Sequence, residues 1–181
     1  MKNIVLMDFK KEPEAYESYD KIKDTQVDES YVYEAALMKE KDGRLDILDS
    51  YNLTENSGTD TLTGGILGAL IGLFTGPFGW LFWGVVGLLV GALFDNHQDN
   101  KNESLLEDMS KKIKDGDVNV LAVVDEDDLS IIDNIVKGYD VVVMRYDFNK
   151  VEDEIKEAKK MNKEIAKEAK KKAHEQKNVS K

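Results

Sequence analysis

The sequence predicts an α+β domain that is interrupted by an apolar helical hairpin and followed by one long charged helix. Three observations carry this expectation. Short apolar runs, Ile4-Val5-Leu6-Met7, 118–124 and Val141-Val142-Val143-Met144, alternate with stretches of helical periodicity. Thirty-four consecutive residues, 61–94, carry no charge. Residues 150–181 hold eleven Lys against seven acids.

The first run, Ile4 to Met7, is apolar on both sides and fits a buried central strand. Pro13 suits the first turn of a helix, along which Ala15, Tyr16, Tyr19 and Ile22 repeat at helical spacing. Residues 30–38 and 44–50 are strand-like, and Lys41-Asp42-Gly43 between them is a hairpin signal. After the apolar run, Leu105, Leu106, Met109 and Ile113 mark a helix over 102–115, with Gly116 where a capping glycine belongs. VNVLAVV, from Val118, predicts a second central strand. Asp127 or Asp128 can cap a helix carrying Leu129, Ile132, Ile135 and Val136, closed by Gly138. Val141 to Met144 is the last strand.

With the apolar run set aside, the first six elements read β-α-β-β-α-β, the ferredoxin-like or split βαβ arrangement, extended by one further α-β. The expected division is a ferredoxin-like soluble domain over 1–60 and 95–148, a membrane-inserting hairpin over 61–94, and a Lys-rich C-terminal helix over 149–181. Neither half of the soluble domain has enough elements to fold alone. Both ends of the insert must then emerge on one side, which favours a hairpin over a single long span.

The insert holds nine of the thirteen glycines, both tryptophans and four of the six phenylalanines. Gly76, Pro77 and Gly79 mark its turn. The halves, about 63–76 and 79–94, reach roughly 21 and 24 Å at ~1.5 Å per residue, against a hydrocarbon core of about 30 Å. A hairpin dipping into the bilayer, or a thin crossing, fits those lengths better than two ordinary spans. Gly64, Gly68, Gly72 and Gly76 recur every four residues on one helix face, opposite Leu67, Leu70, Ile71 and Phe74. Gly84, Gly87 and Gly91 form a second stripe. Small residues at this spacing let helices approach closely in lipid. The stripes therefore predict packing within the hairpin and between copies. Trp80 and Trp83 are candidates for a membrane-interface position, with space filling opposite the glycines as the alternative.

The chain has 181 residues, no cysteine and a formal net charge of −11. The missing cysteines exclude disulfides, a thiol nucleophile and a Cys-ligated metal. The acidic balance argues against a nucleic-acid binder. The N-terminal segment, a short apolar run followed by charges, does not read as a signal peptide. In the tail, a thin stripe of Val151, Ile155, Ala158, Ile165, Ala169 and Ala173 suits a weak coiled-coil seam, an anionic leaflet or plain solvation.

Several of these segments together resemble a bacterial family of predicted membrane proteins, the domain of unknown function twelve sixty-nine, over roughly residues 2–157. They are NIVLMDF, the strand pair YVYEAALMKEKDGRLDIL, the run TGGILGALIGLFTGPFGWLFWGVVGLLVGALFD and the helix-strand segment LLEDMSKKIKDGDVNVLAVV. Family members tend to carry Pro-Gly ahead of the strand in this last segment, where this chain has Asp115-Gly116. The resemblance implies a membrane-associated protein with a ferredoxin-like soluble part, sometimes linked to general stress. It implies no catalytic residue, and it does not reach the Lys-rich extension.

Candidate chemistry is sparse. Asp95, Asn96, His97, Gln98, Asp99 and Asn100 read as a loop ending in a helix cap rather than a metal site. Asp125-Glu126-Asp127-Asp128 lacks the spacing and glycine of a calcium loop. His174 sits among lysines. No phosphate loop or catalytic triad motif is present, so no enzyme activity, metal or cofactor is expected. The expected function is self-assembly at the cell membrane through the glycine hairpin, pore-like or scaffolding, with lipid and further copies as partners and the soluble domain on the cytoplasmic side. The alternatives are a membrane-tethered sensor or adaptor with an unknown ligand, and a soluble oligomer that buries its hairpins.

Overall fold

A computed structural model describes residues 1–24, 31–42, 44–52, 65–75, 104–126 and 130–179. Their elements are β1 (Lys2–Phe9), α1 (Glu12–Asp24), β2 (Tyr31–Lys41), β3 (Arg44–Asn52), α2 (Ile66–Thr75), α3 (Leu105–Lys112), β4 (Val118–Asp125), α4 (Ser130–Ile135), β5 (Val141–Asp147) and α5 (Phe148–Val179). The fold is α+β. Its five strands form one sheet in the order β3-β2-β4-β1-β5, and all neighbours are antiparallel.

This order differs from the one expected for the first six elements, which would set β3 beside β1. Instead β1 pairs with β4 on one side and β5 on the other, while β3 lies at the edge beside β2. Residue patterning explains the difference. β4 is buried on both faces from Val118 to Val124 and so belongs at the centre. β3 carries the exposed Arg44 and Asp49, charges of the kind that protect a sheet edge from further pairing. The pairings make β1 and β2 parallel with β4 between them, and β4 and β5 parallel with β1 between them. Each is a β-α-β unit split by an intervening strand.

The period-2 alternation of side chains gives the sheet two apolar faces. One carries Val5, Met7, Phe9, Leu37, Val120 and Ala122, and is covered by Ala15, Tyr19 and Ile22 of α1 and Ile132 of α4. The other carries Ile4, Leu6, Ala36, Met38, Leu121 and Val123. Three helices cover it: α2, α3 and the first turns of α5.

Local signals behave as expected at several points. Glu12 and Glu14 sit in the first turn of α1 and Lys21 and Lys23 in its last, matching the helix dipole. Lys41 pairs with Arg44, and Asp42 takes φ 55°, as a two-residue hairpin loop demands. Gly138 follows α4 with φ 88°, a conformation that favours glycine.

Candidate functional site

The site of interest is the sheet face on which the apolar insert begins and to which the chain returns. α2 is ten residues of the insert, ILGALIGLFT, and it is a core helix. Ile66, Leu67, Leu70, Ile71, Leu73 and Phe74 are all buried against the sheet and α5. Among the described residues the opposite side is less covered: Gly68 is half-buried, Gly72 is exposed, and a Cβ added at Gly72 would meet nothing within 4 Å. The two faces assigned from the sequence are therefore both present. The leucine face lies against protein.

The start of α2 is held by a carboxylate. Glu34 of β2, 8 % exposed, points to the same face as Ala36 and Met38. Its Oε2 accepts a hydrogen bond from the Leu67 amide at 2.9 Å, and its Oε1 accepts one from Ile66 at 3.4 Å. The first-turn amides of a helix lack internal partners, and a negative charge there also suits the dipole. Gly65 precedes the helix with φ 98°, and a Cβ on it would stand 2.6 Å from Glu34 Cδ. A side chain here would have to displace this carboxylate and adopt a left-handed backbone that favours glycine. At the far end Thr75 Oγ1 donates to the Ile71 carbonyl at 2.8 Å.

A second carboxylate holds the place where the described chain resumes. Glu154 of α5 accepts hydrogen bonds from Ser104 Oγ at 2.6 Å, from the Leu105 amide at 3.1 Å and from the Leu106 amide at 3.0 Å. It caps α3 from outside. Tyr146 donates to Asp108 Oδ2 at 2.7 Å and ties β5 to the same helix. Both described flanks of the insert thus rest on glutamates of the sheet domain.

Beside this helix layer the sheet face holds a buried polar pair. Asp8 and Asn119 are opposite one another on β1 and β4, 4 % and 0 % exposed. Asp8 Oδ2 accepts from Lys10 Nζ at 2.9 Å, and the same ammonium donates to Asp117 at 2.7 Å. Asp8 Oδ1 and both amide atoms of Asn119 have no hydrogen-bond partner among the described residues. Burial raises the Asp8 carboxyl above its ordinary value; Lys10 opposes the shift and Asp117 reinforces it.

The remaining candidates distribute as follows. Glu126 is fully buried and paired with Arg145 at 3.0 Å, which also reaches Asp133 at 2.8 Å, so this acid is part of an ion network. Among the described residues no group of three or more His, Cys, Asp or Glu is placed to hold a metal ion. Gly64, Gly76, Pro77, Gly79, Trp80, Trp83, Gly84, Gly87 and Gly91 lie outside the described residues, as do Asp127, Asp128 and the 95–100 segment. Glu34, Glu154, Asp8 and Asn119 were not foreseen as a set. The available signal was a polar residue inside an otherwise apolar strand, as in YVYEAALM, NIVLMDF and VNVLAVV.

Comparison with known proteins found no family model, no curated protein and no solved structure that matches this chain.

Proposed function

We propose that the chain is a non-enzymatic, membrane-associated protein that self-assembles through the glycine face of its apolar insert, as a pore-like or scaffolding assembly. A ferredoxin-like unit of β2-β4-β1-β5 with α1 and α4 carries the insert on the cytoplasmic side. The observation that supports this is the division of α2. Its leucine face is spent on the sheet, while Gly68 is half-buried and Gly72 is exposed, with open space about it among the described residues. A small-residue face of this kind favours a close helix neighbour, from the same insert or another copy.

Among the described residues no helix is long and apolar enough to cross a membrane, and α2 at ten residues spans about 15 Å. Contact with lipid is therefore assigned to the rest of the run. The burial of α2 also favours a second reading, in which copies cover one another's inserts without lipid.

Membrane fractionation with particle mass tests both. The first reading expects the protein in the membrane fraction as an oligomer that Gly68→Leu or Gly72→Leu breaks. An oligomer that is stable in the soluble fraction without detergent supports the second. A monomer that neither substitution changes overturns both.

A further inference from the structure

We propose that the outer part of α5, residues 159–179, is a contact surface for an anionic lipid bilayer. This contact is separate from the insert and does not depend on how the insert is used.

Among the described side chains of α5, Val151 and Ile155 are buried in the core, Ala158 packs beside them and Met161 is half-buried, while Lys159, Lys160, Lys163 and Lys167 are all exposed. The helix nevertheless continues to Val179, about 32 Å past Ala158 at ~1.5 Å per residue. At ~100° per residue the four exposed lysines fall within about 100° of arc, and Glu157 and Glu164 fall outside it. Residues 159–181 hold nine Lys and three Glu, whereas the preceding part of the chain is strongly acidic. The charge of the molecule is thus divided between a negative body and a positive arm.

The chemistry of the arm selects the partner. All its fixed cations are Lys, and the two Arg of the chain, Arg44 and Arg145, lie in the body. Lysine is a hydrated point charge without the planar fork that reads a single phosphate, so it suits the diffuse field of many headgroups. The arm has no Phe, Tyr or Trp on which a nucleobase would stack. A second copy is the competing partner, with five of its acids already engaged: Glu12, Glu14, Glu17, Asp49 and Asp117 are matched to Lys39, Lys11, Lys21, Lys23 and Lys10. The arm also starts in the helix layer that holds both described flanks of the insert, through Val151, Ile155 and Glu154.

Sedimentation of the full chain with vesicles tests this. Vesicles mixing phosphatidylglycerol and phosphatidylcholine are compared with phosphatidylcholine alone, at low and high salt. A variant with Lys159, Lys160, Lys163 and Lys167 all changed to Gln is run alongside, with circular dichroism to confirm that it folds. The expected result is a preference for the anionic vesicles that salt abolishes and that the variant lowers by about a hundredfold. An equal preference of wild type and variant for the anionic vesicles, or a preference that ignores salt, overturns the proposal. So does a salt-sensitive self-association without vesicles, which would assign the arm to a second copy. Insert-driven association persists in the variant, at high salt and on phosphatidylcholine, so the two readings fail separately.

Discussion

Glu34 and Leu67 are joined by a 2.9 Å hydrogen bond from the helix amide to the strand carboxylate, across thirty-three positions of sequence. The bond seats the first helix of the apolar insert on the sheet, and it fixes where the insert departs. Replacing Glu34 with Ala should destabilise the domain by about 1–3 kcal/mol, because two first-turn amides lose their acceptor in a buried place. Glu34→Gln keeps an oxygen acceptor and should cost less. Urea unfolding of both variants checks the order; an Ala variant as stable as wild type would remove the capping role.

Gly65, which precedes α2, and Gly72, within it, should respond with opposite signs. Gly65→Ala forces a Cβ into Glu34 at φ 98° and should cost upward of about 1 kcal/mol. Gly72→Ala enters open space in a helix interior and should stabilise the monomer by about 0.5–1 kcal/mol. Thermal melts at low protein concentration measure both, and a destabilising Gly72→Ala would show that this face is already occupied.

The buried face of α2 makes a third expectation. Leu70 is fully buried, so Leu70→Ala should cost about 2–5 kcal/mol. Deleting residues 61–94 removes, among the described residues, the six side chains that α2 buries, worth roughly 1.5–3 kcal/mol each, which is comparable to the whole stability of a domain. The deleted chain should bind a hydrophobic dye and lose cooperative unfolding. A deleted domain that still melts in one sharp transition would mean that α2 is an ornament on the sheet.

The acid response should carry the mark of Asp8. Its folded pKa lies above the ordinary 3.8, so the native state holds its proton more tightly than the unfolded chain. The resulting contribution is fully present below 3.8 and is lost as pH rises through the higher folded value. Asp8→Asn should therefore flatten the stability profile just above pH 3.8, read as the urea midpoint across acid pH. An unchanged slope would place the proton uptake elsewhere.

Much of this architecture was visible in residue order. The buried runs at β1 and β4, the hairpin at Asp42, the capping glycine at 138 and the long final helix all rest on local chemistry, and local chemistry is what a sequence displays directly. The two faces of α2 were equally plain, with Leu67, Leu70, Ile71 and Phe74 opposite Gly68 and Gly72. What that leucine face would touch was not. A lipid tail and a sheet core are both dry and apolar, and the same periodicity serves either. Strand order was also hidden, since the β2-β3 hairpin says who neighbours whom across one turn and nothing about the partner on the far side. Glu34 and Glu154 act on amides some thirty to fifty positions away. In the sequence they are only two acids among thirty-six.

The place of β1 bears on how the chain is made. β1 lies between β4 and β5, two strands that follow the apolar insert in the sequence. The sheet therefore cannot close until β4 and β5 have been synthesised, after the whole insert, and Glu154, which secures the return from the insert, comes later still. During elongation the greasy stretch is produced while its protein cover is incomplete. That interval, set by translation speed, is when a nearby bilayer competes for it on the best terms.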